Sequence, residues 1–172
     1  MLCRQNNGFT LIELVIVIVL LGILSVFALP KFADFSEDAN TSALKGLEGA
    51  IRSAGAIVYT KATIKGIQGD ATGSVDLDGD GIDDVETEFG YPSDSRTDGM
   101  TLALDSGFTT SWAWSTRNAP RRIVISSAST STSGAGQKVN NVPITTNNCY
   151  LTYIAPTSAG DTPSITLTTS GC

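Results

Sequence analysis

Gly8-Phe9-Thr10-Leu11-Ile12-Glu13 leads into an apolar run, Leu14 to Leu29, that contains no charge. With its flanking residues the run is long enough to cross a bilayer as a helix. A carboxylate at Glu13 is then expensive, because an acid at mid-membrane costs roughly 2.5–3.5 kcal/mol without a partner. Cleavage after Gly8 would create that partner: Phe9 becomes a new amino terminus, whose ammonium can pair with Glu13 of a neighbouring copy. An ordinary secretory signal has a shorter apolar core and a small-x-small cleavage site. The nearest match here, Ser25-Val26-Phe27-Ala28, is followed closely by Pro30. A plain membrane anchor accounts for the hydrophobicity and leaves Glu13 unexplained.

The same residues resemble the type IV pilin signature: a short polar leader ending in Gly, then Phe-Thr-Leu-Ile-Glu and a long apolar stretch. The leader Met1-Leu2-Cys3-Arg4-Gln5-Asn6-Asn7-Gly8 carries its positive charge at Arg4, as in the type IVa branch, and Pro30 falls where that branch also has a proline. The resemblance implies that a membrane prepilin peptidase cuts Gly8-Phe9 on the cytoplasmic side and methylates the Phe9 amine. An inner-membrane machine would then extract subunits into a helical homopolymer, with Glu13 guiding assembly. The implied fold is α+β, a long N-terminal helix packed on a small antiparallel β-sheet head.

Length and composition bound the rest. At 172 residues, after a leader at 1–8 and a transmembrane or filament-core helix at 9–30, one modest globular domain remains. The net charge of −6 and pI near 4.5 argue against nucleic acid as a partner. Histidine is absent, which removes the commonest general base and metal ligand. Cys3 leaves with the leader, so the mature chain keeps an even pair, Cys149 and Cys172, expected to bond in an oxidising compartment. Closing that loop stabilises the fold by roughly 3–3.5 kcal/mol in the chain-entropy picture. Its position also resembles the C-terminal disulfide loop of type IV pilins.

After Pro30 the apolar residues Phe32, Phe35, Ala39, Ala43, Leu47, Ile51, Ala54 and Val58 recur at threes and fours, predicting an amphipathic half-helix over 31–64. Pro30 lacks an amide hydrogen and is expected to kink or locally open the helix. From 65 to 172 the composition shifts to Gly, Asp, Ser and Thr, marking a β-rich head. Strands are expected at 122–125, 149–154 and 164–168. Trp112 and Trp114, two apart, share one face of a strand, where core packing competes with a sugar-stacking platform. The Ser/Thr/Gly-rich segment 126–136 reads as a mobile loop or hairpin tip.

Asp76-Leu77-Asp78-Gly79-Asp80-Gly81-Ile82-Asp83-Asp84 sets acids at loop positions one, three, five and nine, with glycine at six. This is the spacing by which a calcium loop wraps oxygens around one ion, with Asp76, Asp78, Asp80 and Asp84 as ligands and Ile82 lending its carbonyl. Seven acids between Asp76 and Glu88, with no base among them, repel one another unless solvated or neutralised. Position twelve is Thr87, where a bidentate glutamate would stand, so an EF-hand is rejected. A free-standing calcium loop and a solvated acidic turn both remain open.

Within the family, Pro30-Lys31-Phe32, the run Ala43 to Leu47, Gly49-Ala50-Ile51, Val58-Tyr59, Lys61-Ala62 and Phe89-Gly90-Tyr91-Pro92 look like the mannose-sensitive haemagglutinin (MSHA) pilin group. That likeness implies an extracellular fibre on the cell surface that mediates attachment to surfaces and glycans and biofilm formation. The rival readings are a type II secretion pseudopilin or minor pilin, and a membrane-anchored enzyme. The last is disfavoured because no Ser-His-Asp or Cys-His arrangement exists without histidine.

Overall fold

A single helix, α1 (Leu11–Lys65), carries the chain from the apolar segment into the head. The computed structural model describes residues 9–95, 97–104, 107–118 and 121–172. The helix is N-capped by Thr10 and ends in a Schellman motif. Gly66 takes φ +79°, its amide donates to Thr63 O (3.1 Å), and the Ile67 amide reaches back to Ala62 O (2.9 Å). Leu11–Ala28 is apolar and long enough to cross a membrane, and none of it is buried within the chain. The helix continues unbroken through Pro30. Proline there deprives the Val26 carbonyl of its partner without terminating the helix.

In the head half of α1 the buried positions are Leu44, Leu47, Ile51, Gly55, Val58 and Ala62. Their steps of three and four make a narrow stripe along one side of a 3.6-residue helix. The expected stripe is partly out of phase with it. Ala39 and Ala43 are exposed and Phe35 is 66% exposed, while Leu44, Gly55 and Ala62 take the buried places. Ala43 sits roughly a quarter-turn from the centre of the stripe, at about 100° per residue. The side chain of Phe32 lies outside the described residues.

Two sheets meet this stripe at different turns. Beyond Gly66, strands β1 (Gly73–Val75), β2 (Val85–Glu88) and β3 (Tyr91–Pro92) form an antiparallel three-stranded sheet. Its Val75 and Val85 pack on Val58 and Ala62. Short helices α2 (Met100–Ala103) and α3 (Phe108–Ser111) lead to β4 (Trp112–Asn118) and β5 (Arg121–Ser127). Strand β6 (Gly136–Gln137), helix α4 (Val142–Thr145), β7 (Tyr150–Ile154) and β8 (Ser164–Thr168) follow. The five-stranded order is β6-β4-β5-β7-β8, antiparallel except for the β4–β6 pair.

The expected strands at 122–125 and 164–168 fall within β5 and β8, and that at 149–154 is β7 with one residue too many at its start; β7 shows the period-two burial of a strand with one face on a core. Leu44, Leu47 and Ile51 pack with Met100, Phe108, Trp114, Ile123, Ile125, Leu151 and Tyr153. Trp112 lies half-buried against the same cluster and Trp114 is buried in it, with the Phe108 ring 6.5 Å away. Both tryptophans therefore belong to the core. On the other face Ala113, Val124 and Ile144 make a smaller cluster under α4, so β5 is covered on both sides. The hydroxyl-rich segment after β5 is pinned as well as turned: Thr132 N donates to Pro143 O (3.0 Å), and Asn147 Nδ2 donates to Thr130 O (2.6 Å).

The β2–β3 hairpin turns on Phe89 and Gly90, both with positive φ (48° and 82°). That is the pattern of a two-residue type I′ turn. A Cβ on Gly90 would fall 2.9 Å from Gln68 Cα and 3.0 Å from the Tyr59 ring, so glycine is required by conformation and by space. Gly90→Ala is expected to destabilise the protein by about 1–3 kcal/mol, visible as a lowered midpoint when the full-length chain is melted in detergent.

Candidate functional site

The N-terminal segment has a local partner for its acid. Glu13 Oε2 accepts from Thr10 N (2.9 Å) and from Thr10 Oγ1 (2.7 Å), and the Glu13 amide donates to Thr10 Oγ1 (3.3 Å). This is a reciprocal capping box in which the fourth residue closes back on the N-cap. Its signal in the sequence is the spacing Thr-x-x-Glu just before an apolar run. Phe9 immediately precedes the cap and is exposed, while Gly8 lies outside the described residues.

The acidic segment is the connection between β1 and β2, its neck closed by the Asp84 amide donating to Val75 O (2.9 Å). Asp76 accepts from the amides of Gly79 (2.5 Å) and Gly81 (2.8 Å), which hold its carboxyl below its ordinary range. Asp78 accepts from Asp80 N (3.1 Å), Asp80 from Ile82 N (2.8 Å) and Asp84 from Leu77 N (3.0 Å). Gly79 and Gly81, each at φ +91°, let the chain coil this tightly.

One oxygen from each of Asp76, Asp78 and Asp84 lies within 4.8 Å of the other two. Asp80 is not part of that group, and Ile82 points its side chain outward, 67% exposed. The remaining acids are engaged elsewhere. Asp83 meets Lys65 Nζ (2.6 Å) and Ser74 Oγ (2.6 Å), and both hold its carboxyl low. Glu86 accepts from Ser93 Oγ (3.1 Å), while Thr87 is fully buried in β2. Three converging carboxylates suit a hard, oxygen-seeking cation, and no twelfth-position ligand is available to enclose it.

Cys149 and Cys172 are joined in a disulfide across 23 residues. The Cys172 carbonyl accepts from Asn40 Nδ2 of α1 (3.0 Å), which ties the closed loop to the helix. Sequence reasoning missed a second clamp, an arginine between two sheltered acids. Arg121 at the start of β5 reaches Glu88 of β2 through Nη1 and Asp94 Oδ1 through Nε (2.8 Å). The Asp94 side chain is only 2% exposed, whereas that of Arg121 is half exposed. Partners so distant along the chain leave no spacing signal.

Burial pushes both Glu88 and Asp94 above their ordinary carboxyl range, and the neighbouring Arg121 pulls them back down. A carboxyl raised in the folded state binds its proton more tightly there. Its contribution to stability is therefore full in acid and is lost as pH rises through the raised pKa. Removing the arginine steepens that loss. Arg121→Gln is expected to cost about 1–3 kcal/mol at pH 7, discounted for the exposed guanidinium. The deficit should narrow as pH falls toward about 4, the ordinary carboxylate pKa, in melts of wild type and variant across that range.

Residues 3–29 match the family described as the prokaryotic N-terminal methylation motif. The chain is 34% identical over 106 residues to the type IV narrow pilus major component of Thermus thermophilus, covering 62% of this chain and 77% of that protein. A fimbrial protein of Pseudomonas aeruginosa is 35% identical over 92 residues, 48% of this chain and 60% of its own length. The type II secretion system core protein G of Pseudomonas aeruginosa is 41% identical over 51 residues, 30% of this chain and 36% of that protein. No solved structure gives a significant match. With its methylation motif, its long apolar helix running into an antiparallel head, and these likenesses, the chain belongs to the type IV pilin family.

Proposed function

We propose that the chain is the major structural subunit of an extracellular type IV pilus of the MSHA kind, a fibre that attaches cells to surfaces and glycans and supports biofilms, and that it is not an enzyme. The observation that carries the pilus reading is the reach of the likeness. The 106 residues aligned with a pilus subunit exceed the 65 residues up to the end of α1, so the alignment must run into the head. The 51 residues aligned with the secretion-system protein are too few to require the head. A pseudopilin or minor pilin is the second reading, favoured by that match.

In the proposed pathway a prepilin peptidase cuts between Gly8 and Phe9 and methylates the Phe9 amine. The precursor waits in the inner membrane through Leu11–Ala28, and Glu13 pairs with the Phe9 ammonium of an adjacent subunit as the fibre grows. N-methylation keeps the amine cationic, so the pairing survives it. The capping box separates two roles for Glu13. Gln preserves the cap and removes the charge, whereas Val removes both. Glu13→Gln and Glu13→Val are both expected to abolish surface fibres in cells lacking wild-type subunit, while the protein accumulates in the inner membrane. Normal fibres from Glu13→Gln under the electron microscope would leave capping as the whole role of the residue.

The same reading includes calcium at the β1–β2 connection, supported by the convergence of Asp76, Asp78 and Asp84. A site without a bidentate closing ligand in an extracellular module has an affinity on the order of 10⁻⁴ to 10⁻³ M. Millimolar Ca²⁺ is expected to raise the melting midpoint of the full-length protein, with Asp78→Asn removing the rise. An equal shift in both proteins would mean general screening.

A further inference from the structure

We propose that the face of the five-stranded sheet turned away from the α1 core binds a sparsely charged acidic polysaccharide, one of whose carboxylate or sulfate groups seats between Arg117 and Arg122. The proposal rests on the glycan-attachment reading above and names the surface and the charge class of the glycan.

Arg117 of β4 and Arg122 of β5 are direct cross-strand partners. Their side chains leave the sheet on one face, with Cβ atoms roughly 4.5–5.5 Å apart, a placement at which like charges destabilise a sheet. Neither guanidinium is paired with an acid among the described residues. Arg117 is exposed, whereas Arg122 is half-buried, and its Nε is withdrawn from water without an acceptor. A buried charged donor left in that state is costly. The next residue back, Arg121, is treated differently. Strand parity places it on the other face, where Glu88 and Asp94 meet it.

The rest of the chain offers this pair no counter-ion nearby in sequence. Residues 106 to 172 hold four cations, Arg117, Arg121, Arg122 and Lys138, against one acid, Asp161. A guanidinium presents paired N–H groups that match two oxygens of a carboxylate or sulfate. One such group between the two arginines replaces a repulsion by two attractions.

The adjoining row indicates what carries the anion. Ser115, Val124, Thr152 and Thr166 stand side by side across four strands on this face. Ser115 Oγ is buried without a hydrogen-bond partner, Thr152 is half-buried and Thr166 is exposed. Hydroxyls donate and accept alike, as the hydroxyls of a sugar do. A lipid surface would call for an exposed apolar side chain beside the cations, and the exposed position of this row is a threonine. The net charge of −6 repels a densely charged polymer, so the ligand is one whose anionic groups are spaced by neutral sugars.

The test uses the full-length chain in non-ionic detergent, with hyaluronan, a panel of neutral glycans and inorganic sulfate as probes. The native protein is expected to bind hyaluronan, and Arg117→Gln, at an exposed position, to weaken that binding about tenfold. Arg117→Lys should fall between them, keeping the charge and losing the paired N–H groups. Melting separates this role from a structural one: without added anion Arg117→Gln should melt no lower than the native protein, because it removes a like-charge opposition. Sulfate should then raise the native midpoint more than that of the variant. Equal binding of hyaluronan by the two proteins overturns the proposal, and an equal sulfate shift in both is general salting that overturns the site. A sulfate shift confined to the native protein, with no hyaluronan bound, overturns the polysaccharide and leaves a site for a free anion. Native protein that ignores hyaluronan and binds neutral glycans overturns the proposal while the attachment reading stands. Failure on every glycan removes that reading as well.

Discussion

Both sheets of the head are built on one side of one helix. The stripe from Leu44 to Ala62 provides the inner face for both sheets: its first turns meet Ile123, Ile125, Leu151 and Tyr153, and its last turns meet Val75 and Val85. Each such aliphatic side chain is worth roughly 1.5–3 kcal/mol when fully withdrawn from water. Neither sheet has another apolar partner of that size among the described residues. Neither sheet can hide its inner face without the helix, and the Schellman motif at Gly66 fixes where the first strand can begin.

The polar interactions divide by depth. On the surface, Arg52 with Glu48 and Lys65 with Asp83 are solvent-screened pairs of modest value. The Arg121 clamp is different because its two acids are sheltered while the cation reaches water. It links β5 to β2 and to the segment after β3, so it joins the two sheets where, among the described residues, no hydrophobic cluster does so. Tyr153 adds a second polar tie between them, its hydroxyl donating to Pro92 O at 2.6 Å. Burial pushes that phenol's pKa well up, and it stays a donor at any ordinary pH.

The sequence made the long elements readable because period is their physical signature. Strand β7 alternates over five residues, β5 carries a short apolar run covered on both sides, and α1 ends where glycine and aspartate begin. Strands β1, β3 and β6 are two or three residues long, too short to show any period, and only hairpin geometry and pairing create them. The phase of the α1 stripe is weakly marked because alanine suits either face: Ala39 and Ala43 fit the apolar pattern as well as Leu44 does, and only Leu44 is buried. In the acidic loop, spacing located the turn correctly. It could not show that successive aspartates would cap the amides of their own loop, leaving Asp80 outside the converging group.

The bond between Cys149 and Cys172 also has a mechanical meaning. Strands β7 and β8 lie wholly inside the loop it closes. Two dozen residues drawn taut would add on the order of 80 Å of contour length to a pulled chain. The covalent closure withholds that length. Tension applied through the backbone bypasses these two strands and loads the rest of the head instead, so a stretched subunit can lengthen at β1 to β6 while its last hairpin keeps its register.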